Sequence, residues 1–343
     1  MFKKSVLLGI VLAVLSVLPR GAFAMEIFMV GSYHQGDMCG QPQYDAVVEA
    51  LKQSGIPDLS FRGYYLDSRR RSPQEIDGDI EAIIGDIREL KPAMVVTVDD
   101  LAFARLYGEV LKHPSMYLVF TGLNRSVEEY NKIEPFLDRS GRPDKNVTGV
   151  FEYLFMKEQM EMLEVLLERP LDKVAVLYSR DPVGMIIKQQ IEDELSSTPY
   201  GEKLLFFGAD SYDEVMDAAK VVGADDTVDG WIPATMSVRD RSGGFMTMAD
   251  LVGPMISVIS KPDLALNSSF TELGFYGGVS VDFYQMGFQT GMMAARLLKG
   301  HSISDIPVED ARASIIAVNR GRLSDLGIGL SQEFAGLVDQ FLD

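Results

Sequence analysis

The sequence predicts an α/β protein made of two doubly wound, Rossmann-like lobes that face each other across a cleft. Three observations lead there. Apolar strand-like runs alternate with amphipathic helical runs along most of the chain. The alternation breaks once, near the middle, and then restarts. The length of 343 residues is more than one core holds comfortably and suits lobes of roughly 100–200 residues each.

The first residues stand apart. Lys3 and Lys4 precede the apolar run "SVLLGIVLAVLSVL", and "PRGAFA" sets Ala22 and Ala24 in an A-x-A pattern ending before Met25. That run is shorter than the ~20 residues a spanning helix needs. Residues 1–24 are therefore expected to be a cleaved signal peptide, leaving a secreted or periplasmic mature protein. No cysteine stands directly after the cleavage pattern to carry a lipid, and no later segment is long and apolar enough to cross a membrane.

Past the signal, "EIFMVGSY" reads as a strand and leads into a helical face of Tyr44, Val47, Val48 and Leu51. "LSFRGYYLD" is followed by Ile76, Ile80, Ile83, Ile84, Ile87 and Leu90, a stripe with the 3.6-residue period. "AMVVTVDD" runs into "LAFARLYGEVL", and "SMYLVFTGLN" closes this series. Strands separated by helices give a parallel sheet covered on both faces. Residues 125–146 are polar, and "DRSGRPDKN" is a loop signal.

The rhythm restarts at "NVTGVFEY", followed by a helix whose Met156, Met160, Leu163 and Leu167 share a face. "DKVAVLYSRD", "KLLFFGAD", "TVDGWIPATM" and "PMISVIS" are four further strand candidates. "VDFYQMGFQTGMMAARLLKGHSISDIP" reads as a helix, a Gly stop and a loop, and "ASIIAVNRGRLSDLGI" as a last strand and short helix. Open α/β sheets bind ligands at the C-terminal ends of their strands, so two such lobes place their loops on facing edges of a cleft.

Charge narrows the function. With 32 Lys and Arg against 50 Asp and Glu, the net charge of -18 excludes a phosphate-binding surface for nucleic acid and adsorption to anionic lipid. It also gives a soluble, mutually repelling surface. One cysteine makes no internal disulfide.

The loop Gly31–Gly40 lies between a strand and a helix, where a phosphate cradle would sit. Its glycines fit neither G-x-G-x-x-G nor a Gly-Lys-Ser/Thr motif. His34 and Cys39 are two ligands short of a metal site, and His113 and His301 lie in unrelated segments. Nothing pairs Cys39 with a base, so both residues read as bystanders. No catalytic signature appears elsewhere, and no cofactor or metal is expected.

Asp99 and Asp100 end an apolar strand and open a helix; one reads as an N-cap, the other as free to meet a ligand amine or hydroxyl. The methionines sit at core spacings. Tyr33, Phe120, Phe151, Tyr153, Trp231 and Phe275 lie near strand ends, where aromatic residues form either core or a stacking wall. Ser32, Thr121, Asn124, Ser179, Thr235, Ser268 and Ser280 offer hydrogen bonds at matching positions. Helix N-termini there favour anions such as carboxylates.

"GFYGGVSVDFYQMGFQTGMMAARLLKGHSISDIPV" and then "IAVNRGRLSDLGI" resemble the C-terminal signature of the ABC-transporter substrate-binding family of tryptophan/tyrosine type. "GSYH", "YYLDSRRR", "VTVDDLAFA", "VFTGLN" and "NVTGVFEY" are also similar to related extracytoplasmic sensor domains. The loop after "SYH" departs from the sensor pattern, which carries a Trp there.

The resemblance implies a periplasmic-binding-protein type I fold: two lobes, three crossing segments and a ligand clamped at a hinge. Residues 25–122 plus about 281–310 then form the N-terminal lobe, and about 147–278 plus about 311–343 the C-terminal lobe. Residues 123–146 and 279–282 are the crossing segments. By position, the resemblance implies ligand contacts from Ser32, Tyr33, Asp99, Asp100, Thr121 and Asn124. The second lobe and its return crossing are expected to add Phe151, Tyr153, Ser179, Arg180, Thr235, Ser237, Ser280 and Asp282.

The implied function is a periplasmic solute-binding protein, monomeric and without enzymatic activity. It would deliver a small organic ligand, such as an amino acid or aromatic compound, to an ABC permease in the inner membrane. The alternative is a ligand-sensing subunit read by a membrane-bound signalling protein.

Overall fold

The computed structural model describes residues 25–343, so the expected signal peptide, residues 1–24, lies outside the described residues. The chain begins with β1 (Met25–Gly31), α1 (Gly40–Gln53), β2 (Leu59–Tyr65) and α2 (Pro73–Leu90). It continues through β3 (Met94–Val98), α3 (Asp100–Val110), β4 (Tyr117–Leu123), α4 (Val127–Ile133) and β5 (Val147–Phe151).

Through Glu152–Phe155 the chain crosses to a second lobe. There it forms α5 (Met156–Leu167), β6 (Lys173–Ser179), α6 (Pro182–Leu195), β7 (Leu204–Ala209), α7 (Tyr212–Ala224) and β8 (Val228–Pro233). The hairpin β9 (Ser237–Arg239) and β10 (Phe245–Thr247) precedes α8 (Met248–Ile256), α9 (Ser268–Glu272) and β11 (Gly277–Val281). A return at Asp282 leads to α10 (Phe283–Leu298) and β12 (Glu309–Asp310). A third crossing ends in β13 (Ser314–Asn319), α11 (Arg320–Asp325), α12 (Gln332–Ala335) and β14 (Gln340–Leu342).

The first sheet has six strands in the order β12-β5-β4-β3-β1-β2, all parallel. Its strands read as unbroken apolar runs because both faces are covered. Phe28, Val30, Val95, Leu118 and Phe120 pack under α2 and α3. Their neighbours Ile27, Met29, Met94, Val96 and Val119 pack under α1 and α10.

In the second lobe β7-β6-β8 are parallel. Isolated bridges along Asp263–Asn267 join β8 to β11. β11 then pairs antiparallel with β13, and β13 parallel with β14. The lobe is therefore one continuous layer, filled by Met160, Leu163 and Ile191 on one face and by Trp231, Leu251 and Met255 on the other.

Three expectations change. Residues 123–146 are not a crossing: Val127, Tyr130 and Phe136 are buried against the first sheet, beneath a polar surface that hid them in the sequence. Val147–Phe151, assigned above to the second lobe, pairs with β4 in the first sheet, so the crossing is Glu152–Phe155. "PMISVIS" is not a strand, because its first residues finish α8 with Met255 on the buried helical face. The extended segment is Asp263–Asn267, too short to show a period-2 pattern.

The crossings are tied to one another. The Ala311 N–H donates to the Phe151 carbonyl at 2.8 Å, and the Asp282 N–H to the Ala313 carbonyl at 3.1 Å. α6 braces the first crossing, since the Glu194 carboxylate accepts from the Leu154 N–H at 2.7 Å and the Met156 N–H at 3.1 Å.

Deep in the second lobe, Arg322 and Asp263 are both buried and meet at 2.7 Å. The Arg322 guanidinium also donates to the carbonyls of Ile259 at 2.8 Å and Lys261 at 3.4 Å. One side chain thus fastens α11 to the loop that feeds the Asp263–Asn267 segment. Removing one partner of such a pair strands the other without water.

α10 reaches the first sheet only because Gly287 and Gly291 let it lie against α1. A Cβ on Gly287 would stand 2.3 Å from the Gln43 carbonyl oxygen, which is backbone and cannot turn aside. Gly85, on the open face of α2, has nothing within 4 Å of the same position.

Gly287→Ala is expected to lower stability by about 1–3 kcal/mol in urea unfolding despite its better helix propensity. Gly85→Ala should instead raise it by about 0.5–1 kcal/mol. Arg322→Ala is expected to cost about 3–5 kcal/mol in the same measurement.

Candidate functional site

The C-terminal ends of β1 to β5 converge at the first crossing, where backbone groups leave the ladder and side chains organise the loops. After β1, the Ser32 hydroxyl donates to the Val98 carbonyl at 2.7 Å and accepts from the Ala102 N–H at 3.0 Å, pinning α3 to the strand. Next to it the Tyr33 hydroxyl donates to Asp99 Oδ2 at 2.5 Å. The Arg69 guanidinium lies over the Tyr33 ring, 4.1 Å from its centroid, and pairs with the buried Asp37 at 3.1 Å.

Asp37 shapes the opening loop. It accepts from the N–H groups of Cys39 at 3.0 Å and Gly40 at 3.1 Å, which fills the N-terminus of α1. Loss of water raises the Cys39 thiol to about 12, with Arg69 opposing, so the thiol stays protonated. His34 Nδ1 is 3.8 Å from Asp37 and 3.9 Å from Asp67, beyond hydrogen-bond reach. Among the described residues no three His, Cys, Asp or Glu side chains are placed to hold a metal ion.

After β3, Asp99 has φ 71° and ψ 169°, a backbone region in which glycine is otherwise nearly alone. Its carboxylate accepts from the Asp100 N–H at 2.7 Å as well as from Tyr33. Asp100 turns toward α4, accepting from Tyr130 Oη at 2.8 Å and from the N–H groups of Asn124 at 3.0 Å and Arg125 at 3.2 Å. Burial and then the charge of Asp99 raise Asp100 to about 7. Burial also raises Asp99.

After β5, Glu152 is only 7% exposed, and the Asn124 amide is its hydrogen-bond partner. Burial first, and then the charge of Asp99, hold its carboxyl well above the usual range. Glu194 behind it is raised to about 7, again by burial. Asn124 joins the lobes, its amide donating to Gln190 of α6 at 3.2 Å. Gln190 in turn donates to the Glu152 carbonyl.

Tyr33, Asp99, Asp100 and Asn124 are thus brought together at one rim. The other expected residues are placed differently. Thr121 is fully buried, donating to Gln43 Oε1 at 2.9 Å, and Ser280 is buried against the Ile315 carbonyl at 3.4 Å. Phe151 and Tyr153 are half-buried, Tyr153 edge-on to Phe155. Ser179 is buried and bonded to Asp181 and to the Thr235 carbonyl. Arg180 is spent on Asp210 at 2.7 Å and Glu214 at 3.0 Å. Thr235 is half-buried and Ser237 exposed in the loop after β8.

Phe120, Trp231 and Phe275 are core, not wall. The helix N-termini do not await an anion. Asp37, Asp99, Asp181 and Asp282 cap α1, α3, α6 and α10 from within the chain. Sequence reading passed over Arg69, Asp37, Glu152, Gln190 and Glu194. The signal available for Glu152 was a lone acid at the end of an apolar strand.

Two α/β lobes joined by three crossings, with polar side chains gathered at the strand ends beside the first crossing, define a binding-protein type of fold. Residues 135–340 match the family described as ABC transporter substrate binding protein, and the chain belongs to that family. It is 22% identical over 187 residues to the tyrosine-binding protein of Clostridioides difficile, covering 54% of this chain and 51% of that one. The chain thus spans about half the length of that curated relative.

Solved structures share the fold. A Streptococcus pneumoniae ABC domain in complex with L-Trp aligns with TM-score 0.63 at 19% identity, covering 92% of this chain and all of that one. A ligand-free, open substrate-binding protein with adhesive properties from Clostridium difficile aligns with TM-score 0.67 at 16% identity, covering 93% and 99%. Among the described residues no helix is long and apolar enough to cross a membrane.

The raised carboxyls set a sign for pH dependence. An acid whose folded pKa lies above its unfolded value stabilises the protein at low pH, and that contribution fades as pH rises through the folded value. Asp100 and Glu194, each at about 7, act between about pH 4 and 7. The free protein should therefore melt several degrees lower at pH 8 than at pH 5, and Asp100→Asn should flatten the difference in a thermal-unfolding series.

Proposed function

We propose that the protein is the periplasmic binding component of an ABC importer, capturing a small organic solute between its lobes and presenting the closed form to a membrane permease. The observation that carries this reading is the polar rim of Tyr33, Asp99, Asp100, Asn124 and Glu152 beside three interlocked crossings. In the open form this rim is solvated. Ligand bridging it to the loops after β6 and β8 favours closure by its differential affinity for the closed state.

Under this reading no bond is made or broken in the solute, and the protein acts as a monomer. Residues 1–24 direct it to the periplasm. The names of the relatives make tyrosine and tryptophan the first compounds to try.

Native mass spectrometry of protein purified gently from periplasm, followed by denaturation, tests the reading directly. A stoichiometric small molecule is expected. Supplied at about a hundred times its Kd, it should stabilise the protein by about 2.7 kcal/mol and reduce the radius of gyration in solution scattering. Tyr33→Ala should weaken binding at least tenfold; unchanged affinity would remove Tyr33 from the site.

A further inference from the structure

We propose that the groove between α10 and the third crossing is a second binding site, separate from the cleft. Its occupant is a small amphipathic carboxylate, one anionic head on a short apolar chain.

The groove has a volume of about 350 Å³, with α10 on one side and Glu309, Arg312 and Ala313 of β12 and the third crossing on the other. Its apolar lining comes from Phe288, Met292 and Met293. Phe288, Met292 and Arg296 recur every four residues and so form one stripe along α10. Met293 is buried beside this stripe, whereas Met292 is 45% exposed. A single exposed apolar side chain needs no explanation, but this one lines a concavity with two others.

Charge selects the head group. Arg296 is half-buried, donates to the Asp305 carbonyl at 3.1 Å and has no carboxylate partner among the described residues. A guanidinium carries five N–H donors, so most of this one remains unmatched. Arg312 stands on the crossing side, paired with Glu309 at 2.8 Å. Glu309 is the one carboxylate lining the groove, and the Gln289 amide also donates to it at 2.8 Å. Two guanidinium groups against one carboxylate leave the lining net positive, on a chain whose net charge is -18. Arg239 also lacks a carboxylate, but it lies over the exposed Phe245 ring, 4.9 Å from its centroid.

The chemistry that fits is narrow. An amine would meet two guanidinium groups. A phosphate brings up to two charges, and the groove holds one unpaired arginine. A carboxylate matches the planar fork of Arg296 with parallel hydrogen bonds, and its apolar chain then covers Met292 and Phe288. Such an occupant touches α10 of the first lobe and the third crossing at once.

Titration calorimetry on the exported chain at pH 7.5 tests this with hexanoate, octanoate, octylamine and 1-octanol. Octanoate should bind at least tenfold more tightly than octylamine or octanol. It should also exceed hexanoate by about fivefold or more, as two further methylenes leave water. Arg296→Gln should weaken octanoate about tenfold, as for loss of a charged hydrogen bond. Met292→Glu sets a carboxylate in the groove and should abolish binding. Both side chains reach solvent, so the melting temperature of the free protein stays level. Tyr33→Ala, at the cleft, should leave octanoate binding unchanged. Co-sedimentation with phosphatidylglycerol vesicles separates a lipid surface from a free acid, and the chain should remain in the supernatant.

Should Arg296→Gln fold poorly, Met292→Glu carries the same decision. Octanoate binding that survives both substitutions, or that is lost in Tyr33→Ala, takes the acid out of the groove and overturns the proposal. Equal binding of octylamine or octanol, binding of neither acid, or sedimentation with vesicles overturns it as well. The molecule retained from periplasm tests the cleft on its own, so the two readings fail separately.

Discussion

The close approach of α10 to α1 decides whether this protein has one connection between its lobes or three. After β11 the chain has already completed most of the second lobe, and it must come back to cover the exposed face of the first sheet. It does so on Gly287 and Gly291, which bring helix backbones together at a distance no side chain would allow. Once α10 is seated, β12 reaches the edge of β5 and the chain can cross again. Hydrogen bonds between the crossings then make a short ribbon. A ribbon bends readily about one axis and resists twisting and sliding, so relative motion of the lobes becomes an opening and a closing.

The rim beside that ribbon is built against stability. Asp99 holds a backbone conformation that costs of order 1–3 kcal/mol, and three carboxyls share a space with little water. The rest of the lobe offsets this. The first sheet is apolar on both faces, and Asp37, Tyr33 and Arg69 hold one another in a fixed arrangement. Strain concentrated at one place on an otherwise well-packed scaffold is the usual signature of a site shaped by its ligand.

The alternation of strand and helix was legible in the sequence because buried parallel strands leave long apolar runs, as in "AMVVTVDD", and because Ile76, Ile80, Ile83 and Ile87 keep helical spacing. The ABC transporter substrate-binding family was legible in the order of its C-terminal segments, and Arg322 within "NRGRLSDLGI" now has a physical reason. The crossing was misplaced because α4 and Phe136 hide their apolar contacts in a polar stretch.

At the rim, Tyr33, Asp99, Asp100 and Asn124 were visible as strand-end positions. Glu152 and Arg69 were not, because what distinguishes them is a partner far away in sequence. Ser32, Thr121, Ser179 and Ser280 sat at the right places with hydroxyls that the fold itself consumes.

The return of α10 to the first lobe also sets an order of assembly. The face formed by Ile27, Met29, Met94, Val96 and Val119 is made early in the chain, yet half of its cover is Met286, Met293, Ala294 and Leu297. Until that helix exists, the N-terminal sheet presents an uncovered apolar surface and cannot settle. The second lobe is in the same position, since β13 and β14 complete its layer. Neither half can fold ahead of the other as an independent unit. A chain emerging from its N-terminus therefore stays incompletely folded until nearly all of it is available, with contacts of long sequence separation closing last.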